Sequence, residues 1–179
     1  MLATLAAGGA SPPAAADPRR FAVQPEASEV TFHATSRLMN ANGRFHRVGG
    51  AVVVDPRDLA TARISLAIET ASIDTGIGMR DNHLRSPDFL DAQRFPTITF
   101  ESLRVETMAG GAAVTGRLTL HGVTREITVP VDVTVSEIAM VASGELVLNR
   151  RDYGINYTSS LNPVGNAVRV SFTFRARAS

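Results

Sequence analysis

The sequence predicts an all-β fold: an extended antiparallel barrel of about eight strands with a short helical insert near residues 77–95. Three observations predict it. Apolar residues alternate with polar ones at period two over most of the chain. The alternating runs are separated by short turn signals rather than by helical patterns. One stretch, residues 73–102, breaks the alternation and crowds charged and aromatic residues together. A two-sheet sandwich is the runner-up architecture, since it produces the same alternation.

The elements follow in order. Phe21-Ala22-Val23 and the run from Val30 to Thr35 read as opening strands, with Val30, Phe32 and Ala34 on one face. Asn40-Ala41-Asn42-Gly43 reads as a turn. Gly49-Gly50 leads into Ala51-Val52-Val53-Val54, closed by Asp55-Pro56, and Ile64, Leu66 and Ile68 alternate with polar neighbours. In the insert, Ser86-Pro87-Asp88 reads as a helix start, with Ser at the cap, Pro at the first position and an acid in the first turn. Pro96 stops that segment, after which Ile98 and Phe100 share a strand face. Val114, Leu118 and Leu120 surround Gly116, a candidate bulge or bend. His121-Gly122 reads as a tight turn. Ile127, Val129, Val131, Val133 and Val135 alternate without a miss; Pro130 among them requires an edge, a bulge or a free amide position. A strand over residues 142–148 and a last one bearing Val168, Val170, Phe172, Phe174 and Ala176 complete the set.

Composition bounds the function. The 179 residues, 44% apolar and 20% charged, suit one globular domain over residues 19–179. The net charge is +1 and every basic residue is arginine, scattered singly or in pairs, which gives no footprint for nucleic acid. The absence of cysteine excludes disulfides and thiolate metal sites. No apolar run is long enough for a membrane-spanning helix. Residues 1–18 are rich in Ala, Gly and Pro, and read either as a disordered tail or as a signal-peptide remnant with Ala14-Ala15-Ala16 as the cleavage site, though without a basic segment before it.

A barrel of this size is either filled by its own side chains or holds one ligand. There is no Trp, and the inward positions are mostly Val, Ala, Ile and Leu, which favours a cavity. Alternation places Phe32, Val52, Ile64, Leu66, Ile68, Phe100, Leu118, Val129, Val131, Val133, Val170 and Phe172 on its wall. An aliphatic wall calls for an aliphatic ligand, each buried methylene being worth about 0.8 kcal/mol.

The polar residues admit two readings. Arg80, Asp81, His83, Asp88 and Asp91 supply either an acid/base pair or a structural clasp, in which the acids cap turns and Arg80 and Arg85 pair with carboxylates to hold the insert over the barrel. In the second polar knot, Asn149 to Gly154, Gly154 suits a left-handed backbone, and Tyr153 and Tyr157 either bond a ligand head or pack at a barrel end. The four histidines show no metal-pair spacing, and no nucleophile elbow, phosphate loop or dinucleotide fingerprint occurs.

Taken together these pieces resemble the YceI-like polyisoprenoid-binding family. The resemblance rests on Gly43-Arg44-Phe45, the Gly50 to Asp55 strand, Ala71-Ser-Ile-Asp-Thr-Gly76, Arg80-Asp-Asn-His-Leu84, Ser86-Pro-Asp-Phe89, Phe95-Pro-Thr-Ile-Thr-Phe-Glu-Ser102, Val114-Thr-Gly-Arg-Leu-Thr-Leu-His-Gly-Val-Thr124 and Asn149-Arg-Arg-Asp-Tyr-Gly154, in that order along roughly residues 21–178. It implies a lipocalin-like barrel whose tunnel holds a polyisoprenoid, an isoprenoid quinone or a similar lipid, without enzymatic activity, metal or other cofactor, in a periplasmic or secreted protein. It carries family motif positions onto Arg80, Asp81, His83, Asp88, Phe89, Phe95, Asn149, Asp152, Tyr153 and Gly154; of these Arg80, Asp81, His83, Phe89 and Tyr153 join the expected ligand-binding set. Transport or storage of the lipid, transient membrane or partner contact for delivery, and a homodimer are compatible with it. Two rivals stand beside it: a hydrolase or isomerase using Asp81, His83 and Asp88, and a structural barrel with a filled interior.

Overall fold

The computed structural model describes residues 17–179. Residues 1–16, on which the tail or signal-remnant reading mostly falls, lie outside the described residues. Among the described residues eleven strands run in chain order as β1 (Arg19–Val23), β2 (Glu29–Ser36), β3 (Ala41–Phe45), β4 (Val48–Asp55), β5 (Asp58–Glu69), β6 (Ile73–Asp74), β7 (Thr97–Met108), β8 (Gly111–Leu120), β9 (Val123–Val135), β10 (Ala139–Asn149) and β11 (Val164–Ala178). One helix, α1 (Gly78–Arg85), sits between β6 and β7.

Neighbouring strands pair antiparallel in the order β1-β4-β5-β7-β8-β9-β10-β11, and β1 closes the ring on β11 through Phe21↔Ala178 and Val23↔Ala176. That is the predicted eight-stranded closed barrel. The other strands come from a division of labour along β11. Its C-terminal residues take β1, and its N-terminal stretch takes β2, which carries β3 and β6. A 3-10 turn at Pro25–Ala27 offsets β1 from β2. Closure pairs β1 with β11, the two strands that would otherwise be the edges of the eight-stranded ring.

Several turns follow the predicted chemistry. His121 and Gly122 both have positive φ, 51° and 73°, between β8 and β9. That is the two-residue hairpin whose twist matches its flanking strands. Gly154 has φ 74° at the end of a 3-10 turn, Arg150–Tyr153. Pro130 resolves to a free amide position. It pairs across to Ala113 on β8, while the ladder with β10 runs from Met140↔Val135 to Gly144↔Val131 and stops one residue short of it. The bulge expected near Gly116 lies on the partner strand, where the β7–β8 register shifts between Ser102 and Arg104 opposite Gly116 and Thr115.

Two local readings are corrected. Ser86 ends the helix rather than starting it: α1 occupies Gly78–Arg85, and the Ser86 amide and hydroxyl both donate to the His83 carbonyl, at 3.1 and 2.7 Å. The reason is Pro87, which disfavours helical geometry in the residue before it; Ser86 is extended at φ −73°, ψ 168°. Asn40 to Gly43 is not a turn; the chain reverses at residues 37–40, and Ala41–Phe45 is strand. Here Gly43 provides space rather than a bend, because it stands opposite Phe32 and a Cβ on it would lie 2.6 Å from Phe32 Cζ.

The two ends of the barrel differ. At one end the β4–β5, β7–β8 and β9–β10 hairpins turn over a packed cluster of Phe21, Val52, Val54, Met140 and Ala176, with Leu59, Ala62, Ile64 and Val135 against it. Val105, Ala112 and Val114 form a second cluster that shares Ala62 and Ile64 with the first. Phe21 and Val54 are wholly buried there. Among the described residues no comparable apolar cluster closes the opposite end, which is covered by α1, the turns after it and residues 154–163.

Candidate functional site: an aliphatic tunnel with a polar mouth

Between the packed floor and the covered end lies a cavity of about 770 Å³. That is in the upper part of the range for small-molecule sites. Its walls come from every strand of the ring and from β2. All twelve residues that alternation placed inward line it: Phe32, Val52, Ile64, Leu66, Ile68, Phe100, Leu118, Val129, Val131, Val133, Val170 and Phe172.

Why three phenylalanines leave the space open is a matter of their neighbours. Phe32 lies against Gly43, Phe100 against Gly116 and Phe172 against Gly144, each glycine on an adjoining strand. A Cβ at Gly144 would come within 2.7 Å of Phe172 Cζ, and one at Gly116 within 2.4 Å of Phe100 Cζ. The rings lie along the wall because the glycines leave room there, a known way for aromatics to compensate strand glycines. Without that room they would be pushed into the lumen.

The mouth is built from the insert and the segment after Gly154. His83 on α1, Phe89 after it and Tyr157 form an aromatic cluster. His83 meets both other rings edge-on at 5.0 Å, and Phe89 and Tyr157 are 4.7 Å apart. All three line the cavity. His83 Nε2 lies 3.1 Å from Asp88 Oδ2, and both side chains are exposed on their outer side.

The remaining predicted residues divide. Arg80, His83 and Phe89 line the cavity; Asp81 and Tyr153 do not. Asp81 is 5% exposed and its Oδ1 accepts from the Thr75 amide at 2.9 Å and from the Thr75 hydroxyl. It stands two residues from His83 on one helix, and such positions do not share a face. The trio Asp81, His83 and Asp88 is therefore not assembled: the carboxylate that would complete it holds the turn before α1. Tyr153 is 2% exposed, and its backbone carbonyl lies 3.0 Å from His121 Nδ1. Burial pushes its phenol pKa above the usual value. The tyrosine at the mouth is Tyr157.

The clasp reading of the insert holds with different partners. Arg80 and Arg85 reach no carboxylate. Arg80 donates to the Thr75 hydroxyl at 2.9 Å and to the carbonyls of Thr75 and Asn40; Arg85 donates to the carbonyls of Ala71 and Ile73 at 2.9 and 2.6 Å. Thr70, 1% exposed, donates its hydroxyl to the Phe95 carbonyl at 2.7 Å and fastens the far side of the insert. Among the described residues no three His, Asp or Glu side chains converge on a metal-sized site.

Two features of the mouth escaped the sequence reading. Arg150, one of the paired arginines in the Asn149–Gly154 knot and given no site role there, is 6% exposed and lines the cavity. Counting on by two from Ala142, Leu146 and Leu148, all of which face inward, reaches it. The other is the rim. Leu38, Met39, Ile77, Met79 and Leu161 are large apolar residues left in solvent, the last two at 85% and 80%, and Met39, Ile77 and Met79 also line the cavity. Three segments bring them to the open end, tied together by the Leu38 amide donating to Asn162 Oδ1 at 2.9 Å and by Arg80 bonding Asn40.

Comparison with known proteins agrees with this geometry. Residues 21–176 match the YceI-like domain. A UPF0312 protein of Pseudomonas aeruginosa is 41% identical over 87 residues, 49% of this chain and 46% of that protein. One from Vibrio parahaemolyticus is 40% identical over 88 residues, 49% of this chain and 47% of its own length. These matches thus span about half of each relative. Among solved structures, Burkholderia cenocepacia BcnA superposes with a TM-score of 0.79 at 25% identity, covering 86% of this chain and 98% of BcnA. A polyisoprenoid binding domain from Saccharophagus degradans superposes with a TM-score of 0.71 at 20% identity, covering 89% of this chain and 98% of the domain.

Proposed function

We propose, from the premise that this chain belongs to the YceI-like domain family, that its barrel holds a long-chain amphiphile, a polyisoprenoid, isoprenoid quinone or similar lipid, for transport or storage. The observation that carries the proposal is the continuous aliphatic lining of a 770 Å³ space closed at one end and polar only near the other. At about 30 Å³ for a water-sized group, that space admits roughly 25 heavy atoms. With about 0.8 kcal/mol available per buried methylene, a chain of that size is retained by burial alone. The Saccharophagus degradans neighbour, described as a polyisoprenoid binding domain, points to the same ligand class.

The role is one of binding rather than catalysis. Asp81, which an acid/base mechanism would recruit, is buried away from the cavity with its Oδ1 bound by Thr75. Delivery takes place at a membrane surface in a periplasmic or secreted setting. The exposed apolar rim runs directly into the cavity, and its segments at residues 36–40, 77–80 and 159–163 carry Arg37 and Arg80 but no Asp or Glu. Such a surface suits the interface of an anionic bilayer. Organic extraction of purified, folded protein followed by mass spectrometry is expected to release a long-chain isoprenoid or related lipid. Repeatedly clean extracts from protein shown to be folded would overturn the reading.

A further inference from the structure

The formal charges on the described cavity lining are all of one sign, the exposed Asp88 beside His83 lying outside it. Of the described residues lining the cavity, only Arg80 and Arg150 carry a formal charge, and no Asp or Glu is among them. Elsewhere on the described surface arginines readily find carboxylates: Arg47 with Glu69 at 2.7 Å, Arg57 with Asp55 at 2.9 Å, and Arg169 with Glu145. Neither Arg80 nor Arg150 does.

Arg150 is the more demanding case, being 94% removed from solvent if its 6% exposure is read the other way. Its Nη1 donates to the Ile155 carbonyl at 2.7 Å, its Nε to Gly165 at 3.0 Å and its Nη2 to Val164 at 3.2 Å. These bonds fix the guanidinium but do not neutralise it. A guanidinium carries five N–H bonds, so two remain uncommitted. Arg80 is bound in the same manner, with three donors used on neutral oxygens. A buried cation without a counter-ion is costly, and proteins normally pair it. Burial, and after it the like charge of Arg151, pushes the Arg150 pKa down.

We infer that the missing counter-ion is the ligand's own head: the tunnel selects an amphiphile ending in an anion, a carboxylate or a phosphate, held at the mouth by Arg150 with Arg80 beside it, over otherwise identical neutral lipids. This rests on the lipid-binding reading above and narrows its substrate class. Planar bidentate recognition of an oxyanion is what guanidinium groups do best, and it is strongest where water is excluded.

The test uses delipidated full-length protein and a fluorescent fatty-acid probe displaced by competitors, since the chain has no Trp of its own. Geranylgeraniol and geranylgeranyl monophosphate share one tail; hexadecanol and palmitate share another and separate the phosphate from the carboxylate case. The expected result is at least tenfold tighter binding of one or both anions than of the matching alcohol. In Arg80→Gln and Arg150→Gln that ratio falls towards one. Because Arg150 also ties residues 155 and 164–165, its variant is checked by thermal melting. Should it fail to fold, the wild-type ratio and Arg80→Gln decide. Equal binding of alcohol and anion by the wild type overturns the anionic-head inference alone. Binding of none of the four overturns the lipid-binding reading on which it rests.

Discussion

Replacing Ala62 by Phe should shorten the longest chain the barrel can hold. Ala62 lines the cavity and packs against both clusters that form its floor. The substitution adds six carbons to a side chain beside the floor, so a ligand that fills the tunnel must withdraw by about six methylenes. At about 0.8 kcal/mol each, the upper bound on lost affinity is about 5 kcal/mol, or three to four orders of magnitude in Kd. A short ligand that never reaches the floor loses nothing. The assay is affinity against chain length for a homologous series of fatty acids or prenyl alcohols. In the wild type, affinity should climb with each added carbon until the tunnel is full; in Ala62→Phe the climb should stop about six carbons earlier, with the short members unchanged. Thermal melting guards against overpacking, which costs about 1–3 kcal/mol in a filled core and less beside a void. Identical length profiles in a folded variant would refute the claim that the tail occupies the tunnel.

Further predictions bear on the wall, the floor and the rim. Gly144→Ala sets a Cβ 2.7 Å from both Phe172 Cζ and the Pro130 carbonyl, so it should destabilise the barrel by about 1–3 kcal/mol in denaturant melts and weaken long-chain binding as the ring swings inward. Asp55 accepts from the Arg57 guanidinium, the Arg57 amide and the Asp17 amide, which hold its carboxyl far below the ordinary carboxylate range. A depressed folded pKa adds stability above the unfolded value of about 4 that is lost as pH falls through the folded one. Asp55→Asn should therefore melt lower than wild type near neutrality, and the gap should narrow below about pH 4; a gap independent of pH would contradict the assignment. Met79→Asp combined with Leu161→Asp, at sites 85% and 80% exposed, should leave the melting temperature almost unchanged but slow lipid transfer to anionic vesicles several-fold. Unaltered transfer would remove the rim from the delivery step.

Much of the site was legible because one regularity governs it. In a strand of a closed barrel, period two is enough to sort inward from outward, so Leu66, Val131 and Val170 could be placed without knowing any pairing. Legibility failed where that count is interrupted. Gly154 in its left-handed conformation resets the chain, so Tyr153 and Tyr157, which look equivalent four residues apart, end up in a buried pack and at the mouth respectively. Pro87 overrode an otherwise good helix start at Ser86. Asn42-Gly43 carries turn chemistry, yet its glycine serves the Phe32 ring, a requirement set by a neighbouring strand rather than by local sequence. Arg150 was within reach of the same count that found Leu148; its twin Arg151 made the pair look like surface. The split of β11's edge between β1 and β2 is a contact between the two ends of the chain and leaves no local trace.

The most direct test of the central claim is a set of intermolecular NOEs between the methylene protons of a bound 16-carbon fatty acid and the methyl groups of selectively labelled protein. The tunnel predicts cross-peaks to inward methyls from mouth to floor, such as Leu146, Val131, Leu66 and Ile64, and none to the outward Val147, which is 59% exposed. Cross-peaks confined to Leu38, Met79 and Leu161 at the rim, with the inward methyls silent while ligand is bound, would contradict it.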